Sequence, residues 1–189
     1  MSGPLADWRW PLDERLFEAI NGYEHPALDA VWVAASTRVF GVLCSVGMAL
    51  WLLTRFRKQA LWPLVQVGVT IAVSDGLCAR VVKPWFARLR PSFSLAPDLV
   101  RVLAPAGNTS SMPSIHAANS FAVAAVITVL MPRAGWVAYP FAVLISVSRV
   151  GVGVHWPSDV VAGALIGTAL GLGVALCFRR ALRQRPGLT

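Results

Sequence analysis

Three short polar segments interrupt a largely apolar sequence, and each carries side chains that can bind or transfer an anionic group. Together they supply three cations, two histidines, a serine and an aspartate: Lys83 and Arg90 in KPWFARLRP, Ser114 and His116 in SMPSIH, and Arg149, His155 and Asp159 in SRVGVGVHWPSD. Taken singly, such cations could be ordinary charges beside a membrane, and such a histidine could simply end a helix. Charged groups near hydrocarbon are costly, so their combination at the ends of apolar segments indicates a functional site.

The three cations favour a phosphate group as the bound anion. Arginine offers forked donors that match phosphate oxygens, and Lys83, Arg90 and Arg149 together can balance two or three negative charges. The sequence has no cluster of carboxylates suited to magnesium and no set of histidines and cysteines suited to zinc. We therefore expect phosphate chemistry without a metal or another cofactor.

Two prolines predict that helices begin at these polar segments. Pro113 and Pro157 stand where the apolar pattern starts, and proline is favoured in the first turn of a helix. The free backbone N–H groups at a helix start bind anions. We expect those of residues 114–116, and those of the turn at Ser158, to point at the same phosphate.

The spacing of His155 and Asp159 suits nucleophilic catalysis. Four residues place the carboxylate one helical turn from the imidazole, where it can hold one ring nitrogen and leave the other exposed as a nucleophile. His116 is then available to protonate a leaving oxygen. The predicted reaction is phosphoryl transfer through a phosphohistidine.

The order and spacing of these residues resemble the three signature motifs of the type 2 phosphatidic acid phosphatase superfamily. The matching patterns are Lys83-x6-Arg90-Pro91, Pro113-Ser114-x-His116 and Ser148-Arg149-x5-His155-x3-Asp159. The resemblance implies that His155 is the nucleophile, Asp159 its partner and His116 the general acid. It also implies a phosphate-binding set formed by Lys83, Arg90, Ser114, Ile115 and Arg149.

Ile115 is the main departure from the family pattern, which commonly has glycine between the serine and the histidine of the second motif. The backbone N–H of Ile115 is retained, but a branched side chain replaces a hydrogen beside the phosphate. We expect this to affect the fit of bulky head groups more than the chemistry. Met112, where an aromatic residue is frequent, is a milder departure.

The composition is that of a membrane protein. Of 189 residues, 56% are hydrophobic and only 14% are charged, whereas about a quarter are charged in a soluble domain. The net charge of +8 lies in clusters beside apolar segments, so we expect no nucleic acid partner.

The three cysteines, Cys44, Cys78 and Cys177, fall in apolar runs and are expected to be small buried side chains. The length fits one domain, residues 1–189, and no protein partner is predicted.

The predicted fold is an all-α membrane bundle of about five transmembrane helices preceded by an amphipathic interfacial helix. The apolar stretches are 30–54, 59–82, 113–131, 134–150 and 158–178, each close to the roughly 20 residues that span a bilayer. Arg38 interrupts the first and is expected to reach the interface. Within the N-terminal segment 1–29, an apolar helical pattern precedes Gly22 at Leu12, Leu16, Phe17 and Ile20. A repeat of small residues predicts a helix-packing face at Gly163, Gly167 and Gly171.

The distribution of basic residues predicts the orientation in the membrane. Eight of the seventeen fall on one side in short loops and in the tail 179–189: Arg55, Arg57, Lys58, Arg133, Arg179, Arg180, Arg183 and Arg185. This side should be cytoplasmic. The motifs in 83–159 then lie on the outer face of a multi-pass plasma-membrane protein. Residues 84–112 are expected to form an outer cap that either meets a lipid tail or packs on the bundle. Asp75, inside the second span, is expected to be a structural partner of Arg80 or of a neighbouring helix.

These observations favour an enzyme acting on a lipid phosphate in the bilayer. The small size and the N-terminal helix look most like the undecaprenyl-diphosphatase branch, with phosphatidylglycerophosphate, phosphatidic acid and lipid A as related substrates. A vanadate-dependent haloperoxidase resembles the same site, but those enzymes are large and soluble. A non-enzymatic anion-binding channel or transporter is the other alternative. It would need neither Asp159 beside His155 nor His116 at a helix start.

Overall fold

The computed structural model describes residues 8–106 and 110–183, and within them the regular structure is helical. The α-helices are α1 Pro11–Asn21, α2 Pro26–Ser36, α3 Arg38–Phe56, α4 Leu61–Leu77, α5 Lys83–Phe86, α6 Pro91–Ser94, α7 Ile115–Leu130, α8 Gly135–Gly151 and α9 Pro157–Arg183. A π-helical turn, Cys78–Val82, joins α4 to α5. The predicted all-α bundle is confirmed. Arg185 and the end of the predicted tail lie outside the described residues.

Within the described ranges, four helical segments are long and apolar enough to cross a bilayer: Val39–Gln59, Leu61–Phe86, Pro132–Gly151 and Pro157–Ala181. The remaining predicted span corresponds to α7, which is apolar but has only 16 residues. A helix of that length is about 24 Å long, somewhat less than the roughly 30 Å of a hydrocarbon core. It lies in the middle of the bundle, packed on α4, α8 and α9.

The predicted first span, 30–54, is wrong at its start. Thr37 adopts an extended conformation that ends α2 at Ser36, and its hydroxyl accepts a bond of 3.1 Å from the N–H of Phe40. Threonine capping of this kind starts a new helix. The membrane-crossing helix is α3, of which Arg38 is the first residue rather than an interruption, while α2 packs on α8.

The last helix is longer than predicted. It continues to Arg183 instead of ending near residue 178, so Arg179 and Arg180 belong to its final turns. Cations near the C-terminus of a helix interact favourably with its dipole, which is consistent with this extension.

The predicted glycine face on α9 is confirmed. A Cβ atom added at Gly163, Gly167 or Gly171 would lie only 2.4, 2.0 or 2.3 Å from a backbone oxygen of the α7 segment. The facing residues on α7 are themselves small, and Ala118 and Ala122 are fully buried. Close approach of α7 and α9 also brings their N-termini together, where the Ser114 N–H donates to the Asp159 carbonyl oxygen at 3.0 Å.

Helix α1 forms as predicted, but its inward face is more polar than expected. Asp13, Phe17 and Asn21 are buried at successive turns, whereas Leu12 and Leu16 are 46% and 44% exposed. The Phe17 ring packs on Trp156, with centroids 5.3 Å apart. Asn21 Nδ2 donates to the carbonyl oxygens of Arg101 and Gly151. The helix therefore packs on the bundle through this face, and Leu12 and Leu16 lie on its outer side.

The described part of the cap, residues 84–106 and 110–112, both packs on the bundle and exposes apolar side chains. Val100 joins a buried cluster with Phe17, Val150 and Trp156. Trp85, Phe93 and Leu99 are more than half exposed: 66%, 51% and 64%. Packing on the bundle is therefore observed for part of this segment, and contact of its exposed side chains with a lipid tail stays a prediction.

Two further expectations concern side chains within the spans. Asp75 has a partner on a neighbouring helix, because Asn119 Nδ2 of α7 donates to its Oδ1 at 3.4 Å. Cys78 is buried as predicted. Cys44 is only partly buried and Cys177 is exposed, which corrects the expectation for these two; both lie on helices with many outward-facing apolar residues.

Candidate functional site

The three polar segments meet at one end of the bundle. α7 and α9 start there, α8 ends there, and the cap closes over them. Four titratable groups lie close enough to act electrostatically on the ring of His155: Arg90, Lys83, Arg149 and His116. The structure therefore brings together residues that are more than 70 positions apart in the sequence.

His155 is held in a tight turn between α8 and α9. The carbonyl oxygen of Arg149 accepts bonds of 3.2 Å from the N–H groups of both Val154 and His155. Gly153 has φ +82°, and a Cβ there would lie 2.4 Å from the carbonyl oxygen of Arg101, so the turn requires glycine. The imidazole itself is only 2% exposed.

The two ring nitrogens of His155 face different kinds of group. Nε2 lies 3.0 Å from Arg90 Nη1. A guanidinium can only donate, so Nε2 must carry the lone pair and Nδ1 the proton. Nδ1 faces Oδ2 of Asp159 at 3.5 Å and Oγ of Ser111 at the same distance. Burial, reinforced by the positive charges of Arg90 and Lys83, holds the pKa of His155 well below its ordinary value, so the ring is neutral.

Asp159 is fully buried and its carboxylate is surrounded by donors. Oδ1 accepts from Arg88 Nη1 at 2.9 Å. Oδ2 accepts from the Trp156 N–H at 2.8 Å and from the hydroxyl of Ser111. These bonds fix the carboxylate beside Nδ1 of His155, as its spacing in the sequence predicts.

The three predicted phosphate-binding cations converge on this histidine and are largely buried. Lys83, Arg90 and Arg149 are 5%, 6% and 8% exposed. Lys83 Nζ donates to the carbonyl oxygen of Ser110 at 2.8 Å, and Arg149 Nη1 donates to that of Ser36 at 3.2 Å. Arg149 Nε has no hydrogen-bond partner among the described residues. Three desolvated cations around a neutral imidazole are suited to binding a multiply charged anion.

The start of α7 contributes in part as predicted. Ser114 is the N-cap, and its buried hydroxyl makes no capping bond and has no other partner within the described part of the chain. Its own N–H is used by Asp159, so the expectation that this group faces the anion is wrong. Ile115, which is half-buried, and His116 hold the first two helical positions, where N–H groups have no acceptor within the helix.

The predicted anion site at the start of α9 is also wrong. Asp13 occupies that position: its Oδ1 accepts from the Ser158 N–H at 2.7 Å, and its Oδ2 pairs with the Ser158 hydroxyl. A carboxylate at a helix N-terminus satisfies the free donors and the dipole there. Of the two helix starts predicted to bind the anion, that of α7 is therefore the one whose donors are not taken by Asp13.

His116 lies at the accessible edge of the cluster. It is the second residue of α7 and is exposed, unlike His155. The positive charges of Arg149, Arg90 and Lys83 act on it, which places it on the same side of the bundle as the cations. An exposed group beside a buried anion site is well placed to meet the part of a substrate that departs.

Arg88, Asp13 and Ser111 belong to the site but were not identified from the sequence. Arg88 is fully buried and joins Asp13 to Asp159. A signal was present: Arg88 is a third cation within KPWFARLRP, and Asp13 stands four residues before the apolar Phe17, on the same helical face. Ser111 begins the second motif. No group of three or more histidine, cysteine, aspartate or glutamate side chains that could hold a metal occurs among the described residues.

Comparisons with known proteins agree with this geometry. The family model for the PAP2 superfamily matches residues 63–183. A lipid A 4'-phosphatase of Bacteroides thetaiotaomicron is 35% identical over 82% of this chain and 72% of its own length. The undecaprenyl-diphosphatase BcrC of Bacillus subtilis is 26% identical over 93% of this chain and 87% of its own.

A solved structure has the same fold. The crystal structure of Aquifex aeolicus LpxE superposes with a TM-score of 0.66 at 26% identity, covering 90% of this chain and 98% of that one. The family model covers more than half of the chain and includes all three polar segments. The chain therefore belongs to the PAP2 superfamily and is a multi-pass, all-α membrane lipid phosphatase.

Proposed function

We propose that this protein hydrolyses a lipid phosphate through a phosphohistidine formed on Nε2 of His155, without a metal ion. The observation that carries the proposal is the orientation of His155. Its unprotonated Nε2 faces the cation of Arg90, while its Nδ1 is turned toward Asp159. A neutral imidazole beside buried cations is suited to attack a bound phosphate.

The first chemical step transfers the phosphoryl group to the histidine. Arg90, Arg149 and Lys83 bind the phosphate oxygens, assisted by the Ser114 hydroxyl and the N–H groups at the start of α7. Nε2 forms a bond to phosphorus as the bond from phosphorus to the lipid oxygen breaks. His116 gives that oxygen a proton, and Asp159 stabilises the positive charge that develops on the imidazole.

The second step releases inorganic phosphate. His116, now without its proton, takes one from a water molecule that attacks phosphorus. The bond between phosphorus and Nε2 breaks, and the electron pair returns to the imidazole. His155 is again neutral and His116 is again protonated, so the cycle closes.

The substrate we propose is a lipid A-type phosphate, with undecaprenyl diphosphate as the second candidate. The relative named a lipid A 4'-phosphatase supports the first, and BcrC, which matches nearly the whole chain, supports the second. Phosphatidylglycerophosphate and phosphatidic acid complete the panel. Ile115, at the first position of α7, is expected to restrict the head group beside the phosphate.

We place the site on the outer face of the plasma membrane. Basic residues lie at the end of the bundle away from the site, in the last turn of α3 and just after it, just after α7, and in the last turns of α9: Arg55, Arg57, Lys58, Arg133, Arg179 and Arg180. An excess of arginine and lysine marks the cytoplasmic side of short loops. This charge asymmetry supports an outward-facing site.

Phosphate release by the purified protein tests the function. Each lipid of the panel is supplied in mixed micelles with excess EDTA, and His155→Ala serves as the inactive control. We expect hydrolysis of at least one lipid, insensitive to EDTA and inhibited by vanadate, which can occupy a phosphoryl-transfer site. Activity lost on chelation and restored by magnesium would contradict the metal-free mechanism, and no release from any lipid would contradict the function.

A further inference from the structure

A buried chain of charges connects the N-terminal helix to the catalytic carboxylate. Arg88 Nη2 lies 2.7 Å from Asp13 Oδ2, and Arg88 Nη1 lies 2.9 Å from Asp159 Oδ1. The side chains of Asp13, Arg88 and Asp159 are 2%, 0% and 0% exposed. Of these three residues, only Asp159 belongs to the predicted catalytic set, so Asp13 and Arg88 need a separate explanation.

The guanidinium of Arg88 is fixed on every side. Its Nε donates to the Trp8 carbonyl oxygen at 3.1 Å, and its Nη1 also donates to the Ser158 hydroxyl. The rings of Trp8 and Trp156 lie 4.6 and 5.3 Å from its central carbon. Because the guanidinium is planar and its donors are rigidly arranged, a fixed Arg88 also fixes the plane of the carboxylate that it binds.

Arg88 determines which oxygen of Asp159 faces His155. It binds Oδ1, so that Oδ2 is the oxygen left facing His155 Nδ1. Asp13 adds a second constraint, because it accepts from the Ser158 N–H in the first turn of α9, next to Asp159 in the chain. Asp13 therefore acts on Asp159 by two routes, one through Arg88 and one through the backbone of α9.

We propose that Asp13 and Arg88 are positioning residues for the phosphatase reaction: they hold Asp159 in the orientation that directs His155, and α1 is thereby part of the active site. The inference rests on the proposed role of His155 as nucleophile. Neither residue needs to contact the phosphate. Their loss therefore weakens the chemical step while the cations that bind the anion remain.

The chain contains a matched control for this pair. Arg101 of the cap forms an ion pair with Asp29 of α2, and it also donates to the carbonyl oxygen of Asn21. This pair, like the first, ties the cap to the N-terminal region. Both of its side chains are 23% exposed. Within the described residues, they pair with each other and Arg101 also binds Asn21, Tyr23 and Glu24, rather than His155, His116 or Asp159. Asp29→Asn should therefore loosen the same region without disturbing the catalytic carboxylate.

The test compares Asp13→Asn, Asp13→Glu, Arg88→Gln and Arg88→Lys with Asp29→Asn in the full-length purified protein. Three quantities are measured: the single-turnover rate of phosphoenzyme formation, the inhibition constant of inorganic phosphate and the thermal stability. We expect Asp13→Asn and Arg88→Gln to slow phosphoenzyme formation by about tenfold or more, the range of lost orienting partners. The affinity for inorganic phosphate should change by less than about threefold, because the cations that bind it remain. Arg88→Lys should recover part of the rate because it keeps the charge.

Each outcome bears on the proposal. Asp29→Asn should keep the wild-type rate even where its loss of stability matches that of Asp13→Asn. A wild-type rate in Asp13→Asn and Arg88→Gln, or rates that follow stability alone across all variants, would overturn the positioning role. If Asp13→Asn does not fold, Asp13→Glu, which retains the charge, takes its place in the same comparison. Wild-type protein that forms no phosphoenzyme would instead refute the proposed function.

Discussion

At the scale of single residues, the site depends on two histidines in contrasting environments. His155 is buried, and the protonation of its two ring nitrogens is set by a cation facing one and a carboxylate facing the other. His116 is exposed at the start of a helix. One is suited to hold phosphorus in a dry pocket, and the other is suited to exchange a proton with a departing group or with water.

The neutral state of His155 can be observed directly. Its pKa lies well below the ordinary 6.5, chiefly because of burial and then because of Arg90. We therefore expect its imidazole nitrogen signals to stay those of the neutral ring between pH 7.5 and 5.5, a window in which free histidine becomes charged. Nitrogen NMR of histidine-labelled protein, assigned by the signals missing from His155→Ala, makes the measurement. A ring that titrates near 6.5 would contradict the buried, cation-flanked environment.

The role of His116 depends on the leaving group. General acid catalysis typically contributes about 10²–10⁴-fold, and less when the departing oxygen needs no proton. His116→Ala should therefore be severely impaired on a lipid monophosphate, moderately impaired on a lipid diphosphate and least impaired on p-nitrophenyl phosphate. Single-turnover kinetics on the three substrates measures the differences. Equal defects on all three would assign His116 another role.

Residue types and spacing predict most of the residues around His155, but not Arg88, which binds Asp159, or Asp13, which binds Arg88. The seven residues carrying functional side chains at the centre are recognisable because cations and histidines are rare in an apolar chain. Arg88 and Asp13 could not be identified from the sequence, because their roles depend on a contact between residues 75 positions apart. The same hidden contact explains why Ser158 does not face the anion.

At the scale of elements, the close contact of α7 and α9 sets the geometry of the site. Gly163 lets α9 approach the Ser114 carbonyl, and this holds the start of α7 beside Asp159. Periodic small residues make such a contact predictable from sequence. The break at Thr37 is less predictable, because 30–54 is apolar on both sides of it and a single capping hydroxyl decides where α3 starts.

Substitution within α9 tests this contact. In Gly167→Ala the new Cβ would lie 2.0 Å from the Ala118 carbonyl oxygen, so the helices must separate. We expect a loss of roughly 1–3 kcal/mol in the free energy of unfolding, as for other overpacked cores. Gly173→Ala in the same helix is the control, since no atom lies within 4 Å of its added Cβ. Unfolding by denaturing detergent measures both, and equal stability of the two variants would contradict the packing.

At the scale of the whole molecule, the charge asymmetry predicts that the cap and the basic loops lie on opposite sides of the membrane. Single cysteines at Phe93→Cys or Leu99→Cys in the cap, both exposed, should react with an impermeant thiol reagent added outside intact cells. Gln59→Cys, beside the basic residues after α3, should react only after permeabilisation. Cys44, Cys78 and Cys177 are first replaced to remove background. The reverse pattern would place the site on the cytoplasmic face.

The pairing of Asp13 with Ser158 has a consequence for how the enzyme is made. The two residues are 145 positions apart, so Ser158 is synthesised well after Asp13. At about 5–20 residues per second, a ribosome needs roughly 7–30 s to add the intervening chain. Until the start of α9 has been made, Asp13 has at most Arg88 to bind, and Arg88 has no Asp159 to hold. We therefore expect the buried chain of charges to be completed only after α9 begins to be synthesised.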